Sequence, residues 1–113
     1  MSKYIEAYKK GYEDALASKG VKLIAKERAR QIAKEGWTKE HDKVSHPDGG
    51  LALAAACYAS PAPIYYYNAR VYQFLDPFPF DKKWDKRGKH SYKRKLEIAG
   101  ALIAAELDRI EGE

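Results

Sequence analysis

Residues 91 to 111, near the end of the chain, leave little choice of secondary structure. Tyr92, Leu96, Ala99, Ile103, Leu107 and Ile110 recur at spacings of three and four, which puts them on one stripe of an α-helix. The spacing predicts a helix over 91 to about 111, with that stripe facing the core and Ser91 as its cap. Gly100, Ala101, Ala104 and Ala105 lie among these residues, and side chains this small let a second helix approach closely. A long helix of this kind needs helical partners, and three upstream segments offer them.

Residues 2 to 18 carry Ile5, Tyr8, Tyr12 and Leu16 at helical spacing, with Ser2 as N-cap and Gly20 as the stop. A second helix is predicted over about 21 to 35, ending at Gly36. Pro47-Asp48-Gly49-Gly50 is a strong break. The alanine-rich run from Gly50 to Ala59 then reads as a third helix at the centre of a bundle, touching its neighbours through Leu51, Leu53 or Ala54, and Tyr58. Ser60-Pro61-Ala62-Pro63 ends it. Residues 64 to 75, IYYYNARVYQFL, fit a helical face but also have strand propensity; the reading favours a short helix. Asp76 to Asp81, with two prolines, is an extended turn pinned to the body by Phe78, Phe80 and Trp84. The expected architecture is therefore all-α: one compact domain over 1 to 113, of four to five helices, with a long aromatic and proline-rich loop before the last.

Composition narrows the class. With 45% hydrophobic residues the chain is not disordered, and 113 residues suit one modest core. The longest weakly polar run, Leu51 to Ala59, is too short to span a bilayer, and Met1 to Lys10 is too charged for a cleavable signal. No membrane partner and a cytoplasmic location are expected. Cys57, the single cysteine, excludes an internal disulfide and reads as a buried thiol. Tyr4, Tyr8 and Tyr12 suit a helix half exposed or lying on a partner subunit, and the aromatic 64 to 75 segment suits packing against another subunit as well as packing at home; a homo-oligomer is expected.

Arg28 is the residue out of place. The second helix puts Val21, Ile24, Ala25, Ala29 and Ile32 on one face, and Arg28 falls in the middle of it. A guanidinium cannot shed its charge to escape burial, so it needs a carboxylate such as Asp42 or Glu106, or an anionic ligand. Both readings stand at this point. Trp37, His41, Asp42 and His46 crowd the loop that follows.

Charge gives a second pointer. The chain carries a net +5 and a pI near 9.2, and Lys82 to Lys95 holds eight basic residues against one acid, Asp85. The last helix begins with Lys93, Arg94 and Lys95 and ends in Glu106, Asp108, Glu111 and Glu113, the reverse of what its macrodipole prefers. Such patches are commonly solubilising surface. A helix N-terminus with Ser91, Lys89, Lys93 and Arg94 is also a site for phosphate. Trp37, Trp84 or Tyr92 could stack on a base, or could serve as core anchors.

Chemistry is poorly signalled. An all-helical nucleotide pyrophosphohydrolase needs acids one turn apart on two helices; Glu27, Glu35 and Glu40 lack that spacing. His41, Asp42 and His46 on one loop could hold zinc, although such residues more often order turns. No nucleophile and base stand out. The reading assigns no catalytic residue, metal or cofactor.

Two resemblances follow from these residues. ERARQIAKEGWTKEHDKVSHPDGGLALAAACY, then PFDKKWD and RKLEIAGALIAAELDR, resembles a family of small phage and prophage proteins across about 27 to 59 and 78 to 109. More distantly, the order of Gly36-Trp37-Thr38, Asp42, His46-Pro47 and Lys95-Leu96 is similar to the ryanodine-receptor repeat domain. The tyrosine-glycine that follows the tryptophan there, one of its paired acids and its proline-tyrosine-glutamate segment have no counterpart here. The likenesses imply a small helical module, nucleotide-type ligands and, if phage-encoded, the host cytoplasm and interference with a host defence messenger. The expectation is non-catalytic binding of a phosphorylated small molecule. Arg28 would hold its phosphate, Lys89, Lys93 and Arg94 would add charge, and Trp37 or Tyr92 would stack, with Asp42 and His46 ordering the loop that carries His41. The alternatives are the pyrophosphohydrolase-like enzyme and a module that binds nucleic acid or a host protein.

Overall fold

The computed structural model describes residues 2–37 and 48–112. Four α-helices carry most of them: α1 (Ser2–Ala17), α2 (Lys19–Glu35), α3 (Gly50–Ala59) and α4 (Tyr92–Glu111). Between α3 and α4 the chain forms strands β1 (Tyr66–Asn68) and β2 (Gln73–Leu75), then 3-10 turns at Lys82–Trp84 and Arg87–Lys89. No helix is long and apolar enough to cross a membrane among the described residues.

The core lies between α3 and α4. Leu51, Ala54, Ala55 and Tyr58 pack against Ile98, Ala99, Leu102 and Ala105, with Trp37, Phe78 and Phe80 partly buried around them. Alanines at the contact bring the two backbones close, and a large apolar side chain such as Leu51 or Leu102 gains about 1.5–3 kcal/mol from full burial. The expected contacts of α3 hold, with Ala54 rather than Leu53 turned inward. Ser91 caps α4 as expected, its hydroxyl accepting from the Arg94 N–H.

On α4 and α2 the expected faces are corrected. α4 buries Ile98, Ala99, Ala101, Leu102, Ala105 and Arg109, while Leu96, Ile103, Leu107 and Ile110 point to solvent. α2 buries Glu27, Arg28 and Gln31 and leaves Val21, Ala25, Ala29 and Ile32 exposed. The more polar side of α2 turns inward because α4 presents Arg94 and Gly100 to it. Arg94 gives the Glu27 carboxylate a charged partner, and Ile24 fills the space over Gly100, where a Cβ would stand 2.6 Å from its Cδ1.

Two boundaries also move. The stop after α1 is Ser18, not Gly20: Ser18 is extended (φ −67°, ψ 147°), and its hydroxyl accepts from the Val21 N–H to start α2 two residues earlier than predicted. Residues 66–75 are an antiparallel hairpin in place of the short helix, pairing Tyr66 with Leu75, Tyr67 with Phe74 and Asn68 with Gln73. Strand propensity prevailed because Asn68 Oδ1 accepts from the Arg70 N–H and Tyr72 takes a positive φ of 53°, closing the turn. The domain is mostly helical, and it is elongated where a compact one was expected, at 58 × 29 × 28 Å. α1 buries none of its residues and meets the body chiefly at α2.

Candidate functional site

Glu27 and Gln31 stand one turn apart on the inward face of α2, both essentially inaccessible. The Glu27 carboxylate accepts from Arg30 Nε (2.9 Å) and Nη2 (3.0 Å), from Arg94 Nη2 (2.5 Å) and from Gln31 Nε2 (3.1 Å). Burial pushes its pKa up, but the hydrogen bonds and charges of Arg30 and Arg94 outweigh that, so the carboxyl sits below its ordinary range. A buried anion is thus held between two guanidiniums, one on its own helix and one on α4.

Arg28 is also buried, and its side chain is engaged within the protein. Nη1 donates to the Trp37 carbonyl at 2.7 Å and Nη2 to Asp108 at 3.4 Å. Among the described residues, the carboxylate that Arg28 pairs with is Asp108. Glu106 bonds to Arg109 instead, at 2.5 Å. The guanidinium ties α4 to the end of α2, where Gly36 in the left-handed region (φ 71°) turns the chain and the Trp37 N–H bonds back to Gln31.

The basic segment before α4 is built around Arg87. Its guanidinium donates to Asp76 (2.6 Å) and to both oxygens of Asp85 (2.7 and 2.9 Å), and it lies 5.0 Å from the centre of the Phe78 ring. The hydrogen bonds from Arg87 hold both aspartates below the usual carboxylate range. The Tyr58 hydroxyl, from the core, accepts from the Lys86 N–H at 2.9 Å. This framework fixes two tight turns, and they carry Lys83, Lys86 and Lys89 into one cleft of about 710 Å³.

Lys83, Lys86, Lys89, His90 and Arg94 line that cleft together with Trp37, Trp84, Glu27 and Gln31. Arg94 is committed to Glu27 and Glu97, and Arg30 to Glu27 and Glu35. Lys83, Lys86 and Lys89 form no ion pair with any described residue, so the cleft has a positive excess. Trp37 and Trp84 meet edge to face at 6.2 Å, and the Lys83 ammonium sits 5.5 Å from the Trp84 ring centre. Trp37, Tyr58, Trp84 and Ile98 also line an adjoining, mainly apolar cavity of about 510 Å³ whose walls include Phe78 and Phe80 and also the acids Glu35, Asp48 and Asp81. A basic chamber and an apolar one therefore share an aromatic wall.

Of the residues named from sequence, the fold brings Trp37, Lys89 and Arg94 into this cleft. Arg28 lies inside, and Tyr92 and Lys93 point outward from the first turn of α4, with Lys93 paired to Glu97 at 2.7 Å. His41, Asp42 and His46 lie outside the described residues. Among those described, no three His, Cys, Asp or Glu side chains cluster as a metal site. Sequence reasoning missed Glu27 and Gln31 as site residues; their i, i+4 spacing beside Ile24 and Arg28 was the available signal. Lys83, Lys86 and Trp84 were visible as parts of a basic and aromatic patch without being assigned. Compared with protein-family models, curated proteins and solved structures, the chain shows no match.

Proposed function

We propose that the protein binds a phosphorylated ligand bearing an aromatic ring, a nucleotide or nucleotide-derived signal, and holds it without chemical change. One observation carries this reading: three lysines with no ion-pair partner among the described residues line the same cleft as the Trp37–Trp84 pair. Anionic phosphate answers the lysine excess, and a base answers the indole faces, each stacked base contributing about 1–3 kcal/mol. The adjoining apolar cavity extends the aromatic wall rather than the charge. Retention of an intact nucleotide, set beside the resemblance to small phage proteins, gives a protein that withdraws a signalling molecule from its host.

The test is calorimetric titration with mono-, di- and cyclic nucleotides, with and without magnesium, followed by chromatography of the recovered ligand. The reading expects saturable binding, an intact ligand, and loss of binding in the triple variant Lys83→Ala, Lys86→Ala, Lys89→Ala with the fold retained. No binding by any nucleotide overturns it. A magnesium-dependent product replaces it with the pyrophosphohydrolase reading. Binding of oligonucleotides alone replaces it with a nucleic-acid module.

A further inference from the structure

The surface of the chain is too large for a self-contained domain. It exposes 8196 Å², whereas a folded monomer of 12.8 kDa exposes about 6,300 Å² by the scaling of surface with mass. The excess, about 1,900 Å², is more than the roughly 800 Å² per partner of a standard interface and suits an obligate dimer. Much of it is apolar and arranged in two stripes. Tyr4, Ile5, Tyr8, Tyr12 and Leu16 run along α1, a helix with no buried residue; Leu96, Ile103, Leu107 and Ile110 run along the outer side of α4.

The two stripes match. At 1.5 Å per residue, α1 is about 24 Å long and the outer stripe of α4 about 21 Å. Laid antiparallel, Leu16 meets Leu96, Tyr8 meets Ile103 and Tyr4 meets Leu107. Helices in antiparallel contact also oppose their dipoles.

We propose that two copies of this chain exchange α1, each laying its apolar stripe on the outer stripe of the other copy's α4. The contact is reciprocal, so a two-fold axis closes it and covers both of these stripes in each copy. The Ser18 break is the joint from which the arm departs. α1 then needs no contact within its own chain, and the expectation of a homo-oligomer acquires a specific interface.

The experiment uses the full chain. Sedimentation equilibrium should give twice the chain mass for the unmodified protein. Leu16→Asp on α1 and Leu107→Asp on α4 should each raise the dimer dissociation constant by about 30-fold or more, with helical circular dichroism retained, since both side chains are exposed in the single chain. A mixture of Tyr8→Cys chains with Ile103→Cys chains should oxidise to a cross-linked dimer. A protein that is monomeric throughout overturns the proposal. So does an assembly that neither aspartate weakens, and so does a chain carrying both cysteines that cross-links only to itself.

Discussion

Glu27 and Arg94 are 67 residues apart in sequence and bonded at 2.5 Å in the fold. Their contact joins α2 to α4 through an anion that is almost wholly buried, and that makes it a stability determinant with a pH signature. Glu27→Ala should cost about 3–5 kcal/mol, because it leaves Arg30 and Arg94 partly buried without their carboxylate. Urea denaturation measures it. Since the folded carboxyl titrates below its ordinary value, its contribution is complete above about pH 4.3, the unfolded value, and is lost as pH falls through the folded pKa. Glu27→Gln should be less stable at pH 7 and should lose less on acidification. Equal acid sensitivity in the two proteins would count against the assignment.

Gly100 is the second point of contact between the same helices. A methyl there would stand 2.6 Å from Ile24 Cδ1 and 2.7 Å from its Cγ1, and a β-branched side chain has little rotamer freedom in a helix. Gly100→Ala should therefore destabilise by about 1–3 kcal/mol despite alanine's better helix propensity. In combination with Ile24→Ala the two changes should cost less than their sum. A stabilised Gly100→Ala protein would show that α2 can move away freely.

Arg28 and Trp84 separate structure from binding. Arg28→Ala removes the bonds to the Trp37 carbonyl and Asp108, so thermal denaturation should show a lower Tm with little direct effect on affinity at low temperature. Trp84→Ala removes an exposed indole and should leave Tm nearly unchanged while weakening nucleotide binding by about 1–3 kcal/mol. The affinity should fall steeply with added salt, as lysine–phosphate contacts require. The opposite pattern would place the phosphate site at Arg28.

Cys57 should be a slow thiol. It is buried on α3, and desolvation pushes its pKa up, against a smaller pull downward from Arg87. Reaction with a disulfide reagent at neutral pH should proceed at the rate of structural opening and accelerate in mild urea. Rapid modification of the native protein would contradict the burial.

The residues themselves disclosed a good deal. Ser91, Gly36 and the Ser60 to Pro63 stretch announced helix ends because capping and chain breaking are local chemistry, and α3 was legible for the same reason. The basic segment and the tryptophans were legible as a patch, but their convergence was not. Lys83, Lys86 and Lys89 face one cleft only because Arg87 gathers Asp76 and Asp85 and the Tyr58 hydroxyl accepts the Lys86 N–H.

The sequence by itself located the four described helices and marked Arg28 as a guanidinium on a helix face that needs an anionic partner, carboxylate or ligand. Which side of each helix faces inward was decided by the tertiary structure. α4 carries apolar residues on two sides, and periodicity sees both stripes without ranking them. The small residues of α3 pack best on the Ile98, Leu102 and Ala105 side, because close backbone approach there excludes the most water. Once that side was taken, Arg94 and Gly100 were left for α2, and a guanidinium beside a notch draws in a carboxylate and an isoleucine. The polar face of α2 turned inward for that reason, a choice made by a neighbour 67 residues away.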